Sequence, residues 1–284
     1  MGKQFGQLYV VATPIGNLAD LTRRAVDVLS RVALILAEDT RHTRRLLERY
    51  GVAAELLSYH EHNETAMTPR LLARLAAGED LALVSDAGTP LISDPGFVLV
   101  RAARAEGIRV VPIPGPNAAI AALSAAGLPS DRFLFLGFPP RTSAKCQAWL
   151  TGLVGEPATL ILYESARRAA RTLGDLGAVL GGERRAVVAR ELTKQFETFL
   201  DGSLGDLAQR VAADSEQRLG ELVILVEGAP AAGHAAGQHE QARVLGILAD
   251  ALPLKQAADL AAQITGARRN ELYKLGLARE RGER

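Results

Sequence analysis

The 284-residue chain carries one cysteine and one tryptophan, and aromatic residues make up only 5% of it. A lone thiol, Cys146, can close no internal disulfide and cannot build a thiolate metal cluster. That scarcity fits a reducing compartment and leaves stability to packing. Excess charge is also missing: the formal net charge is +1. Any nucleic-acid contact must therefore come from a local patch rather than from a basic whole. No stretch approaches the roughly 20 apolar residues of a membrane span. The opening MGKQFGQLYVVATP holds no long apolar core of a secretory leader, so a cytoplasmic location without membrane contact is expected. What is plentiful is apolar material, 48% of the residues. A large core is affordable, global disorder is excluded, and the length suits about two compact domains.

Short apolar runs recur, each followed by a turn and then a helical pattern: Leu8–Ala12, Ala33–Ala37, Leu81–Val84 and Arg109–Ile113. This alternation predicts an α/β fold with parallel strands buried on both faces. Asp94-Pro95 reads as an N-cap followed by a first-turn proline, with Gly107 closing that helix. An Ala-rich helix is expected from Pro116 to Ala126, ended by Gly127. Beyond a seam at 127–131 the crossovers become less regular, with strands at Phe133–Leu136, Thr159–Tyr163, Ala186–Ala189 and Leu222–Val226. The organisation expected is an α/β domain over 1–130, a second over 131–228, a flexible linker over 229–241, and a helical module over 242–284 with Gly266 dividing its later part.

Open α/β sheets bind ligands beyond the carboxyl ends of their strands, so polar residues there are the candidates. In Val84-Ser-Asp-Ala-Gly-Thr-Pro90, Ser85, Asp86, Ala87, Gly88 and Thr89 follow a strand. Gly88 lets the backbone approach a ligand without a Cβ in the way. Asp86 would otherwise leave a carboxylate unpaired beside buried strands, whereas Asp94 is accounted for as a helix cap. Val11-Ala-Thr-Pro-Ile-Gly-Asn-Leu18 is a strand-turn-helix loop with Gly16 but without G-x-G-x-x-G spacing. Pro112-Ile-Pro-Gly-Pro-Asn117 forms a rigid turn that serves equally as a pocket wall or as a stiff connection. Ala37-Glu-Asp-Thr-Arg41 places Asp39 and Arg41 after a strand, where a carboxylate could act as general base and an arginine could hold phosphate. His60-Glu-His62 invites a metal, but no third ligand stands at supporting spacing. A polar cleft loop is the better reading, and no metal is expected. Tyr163-Glu164-Ser165 and Arg190-Glu-Leu-Thr-Lys-Gln195 repeat the polar strand end in the second domain, which points to one shared cleft. From Leu254 onward seven Lys or Arg face four acids. Arg268 and Arg269 fall at a helix start, where the macrodipole disfavours cations, so a phosphate-facing role is expected for them.

These motifs, in this order, resemble the bacterial small-subunit ribosomal RNA methyltransferase I family of the tetrapyrrole methylase superfamily. The residues that carry the resemblance are Val11–Leu18, Ala37–Thr43, Ser85–Pro90, Pro114–Asn117, Ser124–Arg132, Tyr163–Ser165, Arg190–Lys194, Gly220–Gly228 and the tail from Leu252 to Leu275. The resemblance implies a two-domain tetrapyrrole-methylase-like fold, S-adenosylmethionine in the cleft between the domains, a homodimer, and 2′-O-methylation of a cytidine in the decoding region of 16S ribosomal RNA. It places Ile15 and Gly16 under the cofactor. Ser85, Asp86, Ala87, Gly88 and Thr89 bind it from the second loop, Asn117 and Ala118 border it, and Tyr163, Glu164 and Leu192 close the far side. Thr13-Pro14 stands where the tetrapyrrole enzymes carry glycine. Asp39 aligns with an acidic proton acceptor, with His60 as the second candidate. Arg41, Lys194, Lys255, Arg268, Arg269 and Lys274 are the expected RNA contacts, on 16S rRNA or the small ribosomal subunit. Two other readings stand beside this one: C-methylation of a tetrapyrrole precursor, and a non-catalytic RNA-binding assembly protein. A nucleotide-dependent oxidoreductase is weakest, because the glycine fingerprint is missing.

Overall fold

The structure is a computed structural model that describes residues 5–214, 220–230 and 235–280. Strands and helices alternate through the first part: β1 (Leu8–Val11), α1 (Arg23–Leu29), β2 (Leu34–Ala37), α2 (Thr40–Arg49), β3 (Leu56–Ser58), α3 (Glu64–Ala76), β4 (Leu81–Val84), α4 (Phe97–Ala105), β5 (Val110–Ile113) and α5 (Ala118–Ala125). The strands form one parallel sheet in the order β3-β2-β4-β1-β5. All four residues of β2 and of β4 are buried, as expected for strands covered on both faces. Alternate residues supply two separate cores. Leu34, Leu36, Leu81 and Leu83 pack under α3 and α4, while Ile35, Ala37, Ala82 and Val84 pack under α1 and α2. Cutting a fully buried leucine such as Leu83 back to alanine would cost about 2–5 kcal/mol.

A second sheet follows. Its elements are β6 (Phe133–Gly137), α6 (Ser143–Thr151), β7 (Thr159–Ser165), α7 (Ala166–Leu180), β8 (Arg185–Arg190), β9 (Thr198–Ser203), α8 (Leu204–Ala213) and β10 (Glu221–Val226). The order is β6-β7-β10-β8-β9, and every pairing but β6 with β7 is antiparallel. One face carries α6, α7 and α8. The other receives α5: Ala119, Ala122 and Leu123 pack on Ile161, Val187 and Val223. The expected seam near residue 130 is thus a change of sheet rather than a break in packing. A helix that precedes the seam covers the sheet that follows it, and residues 1–228 form one compact unit.

Residues 229–284 form the second unit. It contains α9 (Ala235–Ala249), α10 (Leu254–Thr265) and α11 (Arg269–Glu280). The segment expected to be a flexible linker becomes helical at Ala235; its residues 231–234 lie outside the described residues. Helical backbone bonding there overrides a composition of Ala, Gly and Gln that carries no periodicity. Gly266 ends α10 in the left-handed region (φ 70°), where its N–H donates to Ala262 O at 2.9 Å. A small core of Val244, Leu245, Ala257, Ala258, Ala261 and Leu272 joins the three helices.

Candidate active site

A cavity of about 350 Å³ opens within the first unit, between the strand ends of the first sheet and one face of the second. That volume falls in the range of small-molecule sites. On the first side it is lined by Ile15, by Asp86, Ala87, Gly88 and Thr89 after β4, and by Asn117 and Ala118 where α5 begins. Tyr163, Glu164, Leu192 and Val223 line the second side. Ten of the twelve residues expected at the cofactor therefore meet in one place.

The other two do different work. Ser85 is buried, and its hydroxyl donates back to Gly88 O at 3.2 Å, which shapes the loop from inside. Gly16 sits at a contact between loops: a Cβ there would stand 2.6 Å from Lys194 Cγ and 2.8 Å from Leu192 O. Gly16 is not among the residues lining the cavity, and its missing side chain admits the loop after β8. The replacement of glycine by Thr13-Pro14 has a similar explanation. Thr13 and Gly88 exchange backbone hydrogen bonds at 2.8 and 3.1 Å, and the Thr13 hydroxyl donates to Ser85 O at 3.0 Å. Those groups staple two loops together and are not open to a ligand.

Several polar residues in the wall are already partly committed. Asn117 caps α5, its Oδ1 accepting from Ile120 N–H at 3.2 Å. The Glu164 side chain is fully buried. It accepts from Ser165 N–H at 2.7 Å and from the Thr172 hydroxyl at 2.7 Å, and it pairs with Arg168 at 2.6 Å. Its contribution to the cavity is thus as a fixed wall rather than as a free carboxylate. Asp86 Oδ1 accepts from Asp39 N–H at 3.0 Å, which ties the β2 and β4 ends together. Lys194, expected on RNA, lines the cavity and pairs with Glu191 at 3.0 Å and Glu221 at 3.7 Å.

The two aspartates treated oppositely in the sequence exchange roles. Asp39 is the helix cap: its carboxylate accepts from Arg41 N–H at 2.8 Å and is gripped by the Arg41 guanidinium at 2.9 and 3.2 Å. Hydrogen bonding to Arg41 holds its pKa far below the ordinary carboxylate value. Asp39 is not among the residues lining the cavity. The expected role of Asp39 as proton acceptor gains no support from this placement, in which Arg41 occupies both carboxylate oxygens. Arg41 is exposed and engaged with Asp39. His60 does not line the cavity either; its N–H donates to Asn63 Oδ1 at 2.9 Å, and its Nδ1 is buried without a partner among the described residues.

Asp94 is no cap. α4 begins at Phe97, with Gly96 as its N-cap at φ 128° and no side-chain bond. Asp94 instead lines the cavity, half-buried, with its pKa pushed up to about 6 by burial and then by the charge of Glu38. Leu91 and Ser93 hold left-handed backbone angles of 72° and 68°, and across the cavity Glu191 and Thr193 do so at 51° and 65°. Each such residue costs of order 1–3 kcal/mol, and strain of this kind gathers at functional sites. A Cβ at Gly96 would stand 2.5 Å from Leu83 Cδ2, and the Gly96 N–H donates to Glu64 Oε2 at 3.1 Å. Sequence reasoning missed Asp94 because Asp-Pro ahead of an apolar run is the ordinary signature of a cap. It also missed Phe138, which follows β6, lines the cavity while 58% exposed, and packs edge-on against Tyr163 at 5.6 Å.

In the second unit Lys255, Arg268, Arg269 and Lys274 are all exposed. Arg268, Arg269 and Lys274 line one shallow cleft at the start of α11, and Arg269 pairs with Asp259 at 2.5 Å. Among the described residues no group of His, Cys, Asp or Glu could hold a metal ion, and no helix is long and apolar enough to cross a membrane.

The two sheets and the cavity between them define the class. Residues 7–208 match the family described as tetrapyrrole (corrin/porphyrin) methylases, and the chain belongs to it. A uroporphyrin-III C-methyltransferase from Thermus thermophilus, solved with S-adenosyl homocysteine, shares the fold with a TM-score of 0.54 at 19% identity, covering 78% of this chain and 97% of that one. Within the class, the chain belongs with the proteins named ribosomal RNA small subunit methyltransferase I. The Xylella fastidiosa Temecula1 relative of that name is 57% identical over 94% of this chain and 98% of its own length. The Pseudomonas aeruginosa relative is 56% identical over 97% and 98%. Residues 235–280 match the domain described as the RsmI C-terminal HTH domain.

Proposed function

We propose that the protein methylates the 2′-oxygen of a cytidine ribose in the decoding region of 16S ribosomal RNA, with S-adenosylmethionine as donor. The observation that carries this is the coincidence of near-full-length similarity to small-subunit methyltransferase I proteins with a cavity of suitable size assembled from both sheets. The cavity lining fits the donor. Ile15, Leu192 and Val223 offer apolar surface for an adenine, while Asp86, Asp94 and Glu191 supply negative charge towards a sulfonium and an ammonium. The donor brings an electrophilic methyl carbon on a positively charged sulfur. The chain has to align a ribose hydroxyl with that carbon, keep water out and take up a proton.

Asp86 serves the ribose hydroxyls or the ammonium of the donor, and the Ala87-Gly88 backbone lies against it. Tyr163 is fixed in its role as a wall, because its phenol oxygen accepts from Ala119 N–H at 3.2 Å and its ring meets Phe135 and Phe138. The exposed face of Phe138 gives an unstacked base something to lie on. Lys194 reaches the flanking phosphate at the cavity, and Lys255, Arg268, Arg269 and Lys274 hold more distant phosphates of the same RNA. A homodimer in the cytoplasm that acts on 16S rRNA or the small ribosomal subunit belongs to the same reading.

Incubation with methyl-labelled donor and either undermethylated 30S subunits or a tetrapyrrole precursor tests it. Label is expected in 16S RNA as a 2′-O-methylcytidine on nucleoside mass spectrometry. Label in the tetrapyrrole alone refutes the reading, and RNA binding without any label points to an assembly factor.

A further inference from the structure

The second sheet carries a group of cations that the cavity does not use. Between Arg132 and Asp175 the only acids are Glu156 and Glu164, against Arg141, Lys145, Arg167, Arg168 and Arg171. The three later arginines fall in the first two turns of α7, whose first turn holds no acid. Lys145 stands in the first turn of α6, again without an acid. The macrodipole disfavours cations at a helix start, and Arg167 and Arg171, four residues apart on α7, also repel each other. The acids that would offset this charge are turned away from it. Glu156 precedes β7 and so lies at the other end of that strand. Glu164 is fully buried against Arg168. Asp175 is buried too, accepting from the Ser143 hydroxyl and, at 2.8 Å, from the Gln147 amide. Arg168 is thereby committed. Arg141, Lys145, Arg167 and Arg171 are exposed, and none of them is in an ion pair among the described residues.

The way the loop after β6 is pinned gathers these four on one edge. At its start the Phe138 ring stands 5.6 Å from that of Tyr163, near the end of β7. At its end Ser143 is bonded to Asp175, in the third turn of α7. The loop therefore runs along the early turns of α7 and brings Arg141 and Lys145 to the edge that carries Arg167 and Arg171. Burial, then Asp175 and Glu164, raise the pKa of the Cys146 thiol on α6, and the charges of Arg171 and Arg168 pull the other way. Both arginines thus stand within reach of α6. Phe138 and Tyr163 line the cavity, so the basic edge begins where the cavity opens.

We propose that this edge of the second sheet is a phosphate track for the substrate RNA, on which Arg141, Lys145, Arg167 and Arg171 neutralise the backbone beside the nucleotide that enters the cavity. The proposal rests on the methyltransferase reading above and names how that site holds its substrate. Three of the four cations are arginine, whose planar fork takes two phosphate oxygens at once. Phosphate contacts fix register and orientation but carry no sequence information. The track therefore sets where the strand lies and leaves the choice of nucleotide to the cavity. The unfavourable helix-start charges find their compensation when the backbone arrives.

The test uses the full-length protein and two double variants, Arg141→Gln with Lys145→Gln and Arg167→Gln with Arg171→Gln, together with their fourfold combination. Arg101→Gln with Arg104→Gln, on exposed later turns of α4, is the charge-matched control. Filter binding to 16S RNA over a salt series reads the slope of log K against log salt. Each phosphate contact adds about 0.7–0.9 to that slope, so each double variant should lower it by about 1.5 and the fourfold variant by about 3. With labelled donor, KM for undermethylated 30S subunits should rise at least about tenfold in the fourfold variant. Its kcat at saturating subunits and its Kd for S-adenosylhomocysteine should stay near the wild-type values. Its melting point should not fall, because the cations removed stand at helix starts. A wild-type slope and KM in the fourfold variant overturn the track alone. So does a control that lowers the slope as much as the Arg167 and Arg171 pair, since the effect is then one of total charge. A wild type that transfers no methyl group to RNA overturns the functional reading, and the track with it.

Discussion

Gly16→Ala puts the junction between the two loops under a defined load. The added methyl would lie 2.6 Å from Lys194 Cγ, 2.8 Å from Leu192 O and 2.9 Å from Thr193 Oγ1. The lysine stem can swing aside. The Leu192 carbonyl cannot, because its turn runs between Glu191 and Thr193, both already in the left-handed region. The loops have to part by several tenths of an ångström, an overpacking that costs about 1–3 kcal/mol. For a unit of this size each kcal/mol lowers Tm by about 2–4 °C, so a fall of about 2–12 °C is expected by differential scanning fluorimetry. Ile15 and Leu192 line the cavity from the two parted loops, so donor affinity should also weaken. A loss of about 1.4 kcal/mol would appear as a tenfold rise in Kd for S-adenosylhomocysteine by calorimetry. Gly174→Ala is the control. It lies inside α7, where an added Cβ meets nothing within 4 Å, and it should stabilise by about 0.5–1 kcal/mol. If Gly16→Ala melts and binds like the wild type while the control behaves as described, the loop contact is not what shapes the cavity.

Three further outcomes follow from the same geometry. Because Asp94 has a raised pKa in the folded protein, its ionisation opposes folding. Asp94→Asn should therefore melt above the wild type at pH 7, by an advantage complete above about pH 6 that fades as pH falls towards 4; paired melts across that window check it. Arg168→Ala leaves the Glu164 carboxylate buried without its cation, at a cost of about 3–5 kcal/mol. Adding Glu164→Gln should recover part of that loss in urea unfolding, and no recovery would mean that the pair is not coupled. Lys274→Ala is expected to weaken RNA binding about equally across sequences and to reduce the slope of log K against log salt by about 1, measured by fluorescence anisotropy at several salt concentrations.

Much of the scaffold was legible because it is written in local patterns. Leu34–Ala37 and Leu81–Val84 read as strands covered on both faces, and both are fully buried. The two edge strands at Leu56–Ser58 and Thr198–Ser203 were not singled out. They are only partly buried, so their hydrophobic signal is thin. The helical residues from Ala235 also escaped, since Ala, Gly and Gln without periodicity look the same in a helix and in a linker. At the site, polar residues after strands pointed to Asp86 and Thr89, which line the cavity. That signal could not say which side chains face a ligand and which face their own backbone.

The sequence alone determined the alternation of strands and helices, the polar strand ends and the basic third helix of the tail. These depend on residue type and spacing along the chain, and so does the resemblance that named the family. Only the tertiary structure decided which aspartate caps a helix and which stands in the cavity. Asp39 and Asp94 have much the same local context, an acid next to a helix start. They part company because Arg41 reaches back to neutralise one, while a left-handed loop braced by Glu64 and Pro116 carries the other into a space enclosed by a second sheet. Burial and charge at a side chain are sums over neighbours distant in sequence, and no local pattern contains them.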